Sequence, residues 1–346
     1  MIPSALLLLT ILQAGWSKEK LALAHHYAST DSINTSAVVI MQGGRVIDEW
    51  GDTAQKIDAY SVRKTLLSAL YGIYAGEGTI DPNETLEHLG IDDSPDSLTT
   101  AEKQARVVDL LRARSGVYHL VDFETTNMAS SRPPRGSHPP GTFWYYNNWD
   151  FNVLGTIFEK KTGKKIGDAF YERIAKPIGM QDFQPRDVFY FGGPASIHPA
   201  YHFEITARDL AKFGQLYLRH GRWNDKQIVP EAWVEKSSHA NEMVTANGVN
   251  LGGYEYLWWV DYGGVHFPEV SLPGIYSARG NGCHFLFIVP TLDLVVVHRT
   301  DNDPPVRDAQ TITAIANRAV PLALARADFG HLLKLIIDAS PTPGSP

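Results

Sequence analysis

Residues 60–74 run Tyr-Ser-Val-Arg-Lys-Thr-Leu-Leu-Ser-Ala-Leu-Tyr-Gly-Ile-Tyr and are apolar on nearly every side after Lys64. A helix without a polar face has to be enclosed by other elements. Any fold for this chain must therefore wrap around this segment. Gly76 and Gly78 supply its stop signals. The enclosure also has to cope with a charge near the helix start. A buried Lys64 must be paired or have its pKa lowered.

Ser61 and Lys64 stand three residues apart, which places hydroxyl and amine on one helix face. A serine is a weak nucleophile unless a neighbouring base takes its proton. A lysine becomes such a base when burial or nearby positive charge depresses its pKa. At the amino-terminal end, Ser61 would lie in the positive field of the helix dipole, which favours a developing anion. The spacing alone is cheap. Ser17-Lys18-Glu19-Lys20 repeats it, and a serine at a helix start also reads as an N-cap.

The two ends of the chain read as strands. Residues 36–41 and 45–50 flank Gln42-Gly43-Gly44 as a β-hairpin, and residues 284–290 and 294–299 form a second apolar pair around a turn at 291–293. Between them the pattern is helical: 100–112, 149–161, 165–175, 206–220 and 230–237, with a long Ser/Pro/Arg/Gly loop at 130–141. Residues 309–325 read as a late apolar helix broken before Pro321. The economical arrangement is an α+β fold of the α/β sandwich type. Both chain ends build one antiparallel sheet, flanked by helices, and the middle forms a helical region beside it. One domain would span residues 20–335, with sheet at about 30–60 and 265–330, helices at about 61–260, and a tail from 336 to 346.

Composition removes several function classes. A net charge of −7 without a long basic run argues against nucleic acid as a partner. Cys283 is the only cysteine, so no intramolecular disulfide and no cysteine metal cluster can form. There is no His-Glu-x-x-His, no P-loop and no Gly-x-Ser-x-Gly, and neither a metal nor a cofactor is expected. The apolar run at residues 5–12 is too short to span a bilayer, so no stable membrane span is expected. It fits a secretory h-region cleaved after Ala14, although the positive n-region is missing. As an export signal it would make the protein periplasmic or secreted. As an apolar segment packed on the domain, or a start codon placed too early, it would leave it cytoplasmic.

Two further stretches carry chemistry. Tyr146-Asn147-Asn148 follows Pro140-Gly141 at a loop-to-helix junction. A phenol beside a lysine can act as general base or relay, and Asn148 can orient Lys64 or a substrate carbonyl. The same aromatic cluster also reads as core packing. Tyr276-Ser277-Ala278-Arg279-Gly280-Asn281-Gly282 leads into a strand. Its glycines permit close backbone approach, and a backbone N–H here with that of Ser61 would make an oxyanion hole. His119, His138 and His284 are candidate pocket residues, and Trp144, Trp258 and Trp259 candidate walls.

Ser61-x-x-Lys64, Tyr146-x-Asn148 and Ala278-Arg279-Gly280, in that order, resemble the three active-site motifs of the penicillin-recognising serine hydrolases. Class C-type β-lactamases and the esterases sharing their fold are the nearest in pattern. Residues 110–117, Leu154-Gly155 and Pro177-Ile178-Gly179-Met180 extend the resemblance over about 30–325. It implies Ser61 as nucleophile, Lys64 as base or its partner, Tyr146 as base and later acid, and Asn148, Gly280, Asn281 and Arg279 as orienting or binding residues. Which of Lys64 and Tyr146 takes the serine proton stays open at this point. One departure matters: Ala278 stands where the family usually has a lysine or histidine that holds a substrate carboxylate. Strand alternation sends Arg279 to the opposite face. The pattern therefore implies a serine hydrolase forming an acyl-enzyme with a small-molecule ester or amide, carboxylesterase-like. The alternatives are a β-lactamase or a penicillin-binding-type sensor that acylates without efficient turnover.

Overall fold

The computed structural model describes residues 15–30, 33–267, 269–301 and 322–341. Helix α1 (Lys18–Ala28) precedes strands β1 (Thr35–Gln42), β2 (Arg45–Gly51) and β3 (Ile57–Asp58) and helix α2 (Val62–Gly76). Next come α3 (Val107–Leu111), α4 (Thr126–Ser131), α5 (Asn148–Thr162), α6 (Ile166–Phe170), β4 (Val188–Phe191), β5 (Ala200–Ile205) and α7 (Ala207–Leu218). Short β6 (Arg222–Trp223) and β7 (Lys226–Gln227), α8 (Glu231–Ser238), β8 (Thr245–Ala246) and β9 (Val249–Asn250) follow. The chain then returns through β10 (Gly253–Glu255), β11 (Trp258–Val260), β12 (Tyr276–Gly280), β13 (His284–Val289), β14 (Leu294–Thr300) and α9 (Leu322–Ala339).

Both ends of the chain meet in one antiparallel sheet of order β10-β11-β12-β13-β14-β1-β2. Strand β14 is the seam, with Val297 opposite Val39 of β1 and Leu286 of β13. Side chains alternate across a strand, so this sheet feeds two cores. Ala37, Val39, Val295 and Val297 join the core that holds α2 and α7. Val38, Ile40, Phe285, Phe287 and Val296 join the core formed with α1 and α9. Because both faces are covered, the central strands are continuous apolar runs. Helix α7 lies close to the sheet. A Cβ at Gly214 would fall 2.6 Å from both Leu286 and Val295.

Helix α2 is buried along Val62–Tyr74, as its apolar run requires. A small sheet of order β3-β5-β4 sits at its amino-terminal end and was not evident in the sequence. Other boundaries differ from expectation for nonlocal reasons. The segment 100–112 is no single helix: a turn at Glu102–Gln104 and α3 are separated at Ala105, whose carbonyl accepts from the Leu86 N–H. Helix α6 gives way to a wider turn at Tyr171–Ala175. Helix α9 continues past residue 335, because Ile336 and Ala339 are buried against the sheet. The expectations for residues 1–14, 309–321 and 342–346 lie outside the described residues.

A buried carboxylate ties the middle of the chain together. Asp93 accepts from Trp149 Nε1 at 2.6 Å, Ser196 Oγ at 2.9 Å and the N–H groups of Ser94 and Ile197, and meets His119 Nδ1 at 3.3 Å. Burial pushes its pKa up, but His119, Trp149 and the other donors outweigh this and hold it below the usual carboxylate range. Its stabilising contribution is therefore present above the unfolded carboxylate pKa and is lost as pH falls. Removing the carboxylate orphans several buried donors at once. Asp93→Ala is expected to cost about 3–5 kcal/mol of stability, measured by urea unfolding.

Candidate active site

Ser61 immediately precedes α2, and its hydroxyl makes no capping bond to that helix. Ser17, with the same spacing to a lysine, does the opposite: its Oγ accepts the Lys20 N–H and caps α1. The Ser61 hydroxyl is engaged elsewhere. Lys64 Nζ lies 2.7 Å from Ser61 Oγ and 2.9 Å from Tyr146 OH. The same Nζ sits 4.6 Å from the ring centres of Tyr146 and Phe151. None of these partners is a carboxylate. Burial, and then the positive charge of Arg63, hold Lys64 well below the ordinary lysine range. Burial pushes Tyr146 up to about 12, partly offset by its hydrogen bond with Ser61 and by Arg63 and Arg279. Both directions favour the same state, a neutral amine beside a neutral phenol.

The neighbours of Tyr146 hold it from two sides. Its ring stacks on Trp259 with centres 5.5 Å apart and meets Phe151 and Tyr254. The loop before α5 is pinned to residues 113–117. The Gly141 N–H donates to the Arg114 carbonyl at 2.7 Å and Tyr145 N–H to the Ala113 carbonyl. Asn147 caps α5 and donates from Nδ2 to the Val117 carbonyl at 2.6 Å. Ser115 Oγ donates to the buried Asp150 at 2.5 Å. The Ser-Gly phrase at 115–116 is thus the brace that fixes the tyrosine loop.

Strand β12 reaches Ser61 from the other side. A Cβ on Gly280 would lie 2.7 Å from the Ala59 carbonyl and 3.4 Å from Tyr60 Cβ. Only glycine lets the strand end approach the turn before Ser61 this closely. Hydroxyl, amine and phenol therefore converge between the start of α2, the start of α5 and the end of β12.

The family model described as Beta-lactamase matches residues 22–320. The chain belongs to the beta-lactamase family. It is 24% identical over 300 residues to the 6-aminohexanoate-dimer hydrolase of Paenarthrobacter ureafaciens, covering 76% of this chain and 71% of that one. A D-aminopeptidase of Cereibacter sphaeroides is 39% identical over 51 residues, 15% of this chain. That match spans only a tenth of the relative's length. In three dimensions, a family VIII carboxylesterase superposes with a TM-score of 0.60 at 16% identity, over 87% of this chain and 96% of that one. The chain has the beta-lactamase fold, with mixed helix and antiparallel sheet.

Within this beta-lactamase-family site, the remaining candidates divide. Asn148 makes no hydrogen bond to Lys64. Its Nδ2 donates to the Phe123 carbonyl at 3.0 Å, and its Oδ1 is buried without a protein partner among the described residues. Arg279, counted with the orienting residues, is buried and bonded to other protein groups. It donates to Ser277 Oγ and the His266 carbonyl and lies over the rings of Trp259 and Phe267. Ala278 faces the α2 core. His119 belongs to the Asp93 network, and His138 stacks on Phe143. His284 packs beneath Tyr60, with ring centres 5.2 Å apart. Trp258 is core, against Tyr217 and Tyr276, and Trp144 stands behind Trp259.

Sequence reasoning passed over Arg63, inside the tetrad itself. Its guanidinium is buried, donates to Asn152 Oδ1 at 3.1 Å and lies 4.3 Å over Tyr201. A buried cation next to a lysine was the available signal. No helix among the described residues is long and apolar enough to cross a membrane.

Proposed function

We propose that this protein cleaves a small-molecule ester or amide through an acyl-enzyme on Ser61, and that a neutral ester is its preferred substrate. The observation that carries this is Lys64 Nζ placed between Ser61 Oγ and Tyr146 OH with no carboxylate beside it. As a neutral amine, Lys64 accepts the Ser61 proton while Oγ bonds to the substrate carbonyl carbon. The tetrahedral oxyanion is received by the N–H groups of Ser61 and of Gly280 or Asn281. Its collapse breaks the bond to the leaving group, which takes a proton from the Tyr146 phenol. The Lys64 ammonium returns a proton to Tyr146. Water gives one proton to the same pair as it attacks the acyl carbon, and the pair returns that proton to Ser61 Oγ as its bond to the acyl carbon breaks.

The substrate class follows from the charges. The lysine or histidine of the related enzymes is absent at Ala278. The guanidinium groups of Arg279 and Arg63 are buried and donate to Ser277 Oγ and Asn152 Oδ1, with Arg63 Nη1 left without a partner among the described residues. A β-lactam carboxylate would thus lack its usual cation. The names of the relatives, a 6-aminohexanoate-dimer hydrolase and a family VIII carboxylesterase, support an acyl substrate. Purified protein is expected to hydrolyse p-nitrophenyl butyrate with kcat/KM at least about 30-fold above nitrocefin, the loss of one charged hydrogen bond. Faster nitrocefin cleavage would make it a β-lactamase. A stoichiometric burst without turnover would make it a sensor, and preference for the matching p-nitroanilide an amidase.

The pH profile tests the neutral amine. kcat/KM should rise as Lys64 loses its proton, with the inflection below the lysine value of 10.5. Arg63→Met removes a neighbouring positive charge, so the inflection should move to higher pH. An inflection that stays or moves down would contradict the role given to Arg63.

A further inference from the structure

The two residues before the nucleophile are held far more firmly than a turn requires. Tyr60 has φ +46°, a left-handed backbone that a bulky side chain rarely adopts. Asp58 Oδ1 accepts the Tyr60 N–H at 2.9 Å, while Asp58 Oδ2 lies 2.8 Å from His202 Nδ1. Arg299, from β14 of the large sheet, donates through Nη2 to the carbonyls of Ile57 and Asp58 at 2.8 and 3.0 Å. Its Nη1 donates to the Ile205 carbonyl and its Nε to His284 Nδ1, and His284 carries the Tyr60 ring. The Ala59 N–H donates to Phe203 at 2.7 Å. Asp58, His202, His284 and Arg299 are all buried.

Burying a guanidinium and a carboxylate around one turn is expensive, and a glycine at position 60 would meet a purely structural need without them. What the anchors add is a fixed direction. The next N–H groups, of Val62 and Arg63, close on the carbonyls of Ala59 and Tyr60. The Ser61 N–H makes no hydrogen bond to any described residue. The same turn touches Gly280, the other proposed donor position. Catalytic donors work by being aimed before charge develops.

We propose that Asp58, backed by His202 and Arg299, is a positioning residue for the oxyanion site. It locks Tyr60 left-handed and so aims the Ser61 N–H at the developing oxyanion. This rests on the acyl-enzyme role of Ser61 given above.

The test compares Tyr60→Gly with Tyr60→Val. Both remove the ring from His284 and differ in whether they tolerate a positive φ; Tyr60→Ala replaces the valine if that variant does not fold. Activity on p-nitrophenyl butyrate is expressed per site titrated with a fluorophosphonate. The valine variant is expected to lose about 10- to 100-fold more kcat than the glycine variant, with KM within about threefold. Asp58→Ala should lose kcat in the same way, and adding Tyr60→Gly should restore part of it. Glycine and valine variants within about threefold in kcat would overturn the proposal, whatever Asp58→Ala does. Absence of labelling at Ser61 in the unmodified protein would instead overturn the role of Ser61 itself.

Discussion

Ser61→Ala is expected to lower kcat for p-nitrophenyl butyrate by at least about 10⁴-fold and to abolish labelling by a fluorophosphonate. The size follows from what is lost. Without Oγ no acyl-enzyme forms, and only the donors and the binding surface remain to act on a water attack. The stability should hardly change. The hydroxyl does not cap α2, and its described partners are Lys64 and Tyr146. A collapse of activity in a protein that unfolds at the same denaturant concentration separates chemistry from folding. The same substitution at Ser17 should do the reverse. Ser17→Ala removes a real N-cap and is expected to cost about 1 kcal/mol of stability with no effect on kcat.

Lys64→Met carries the second large effect. Methionine matches the length and apolar character of the buried stem and lacks only the amine. The Ser61 proton then has no base at 2.7 Å, and Tyr146 loses the group that reloads it. A loss of about 10³- to 10⁴-fold in kcat/KM is expected, in the range of a positioned general base. Here too stability should not fall. Among the contacts of Nζ there is no carboxylate to be orphaned, and an amine desolvated beside Arg63 is itself a burden on the fold. Residual activity should no longer show the inflection assigned to Lys64. A Lys64→Met enzyme that keeps wild-type activity would transfer the base role to Tyr146.

The parts of this fold that were legible in the sequence are those encoded by local pattern. The all-round apolar run after Lys64 required a buried helix, and α2 is one. Alternation along 276–280 predicted that Arg279 would leave the face of Ala278, and it does. Strands at both chain ends predicted one sheet, and β14 joins them. What was not legible depends on distant partners. The β3-β5-β4 sheet is built from short segments whose pairing no local pattern announces. The break inside 100–112 comes from Leu86 and Thr85, outside that segment. Asp58 two residues before the Tyr60 N–H is a recognisable side-chain turn. Its partners His202 and Arg299 are more than 140 residues away in sequence. Composition could not distinguish the two Ser-x-x-Lys tetrads. The apolar run after Lys64 and the later Tyr146-x-Asn148 motif did, and the direction of each hydroxyl agrees.

The central claim is that substrate becomes covalently attached to Ser61. Intact-protein mass spectrometry after rapid acid quench of p-nitrophenyl butyrate turnover tests it directly, with peptide mapping of any adduct. The account predicts a butyryl adduct on the peptide containing Ser61, stoichiometric or nearly so in the pre-steady state and absent in Ser61→Ala. An adduct on another residue, or hydrolysis that persists in Ser61→Ala at the wild-type rate, would contradict it.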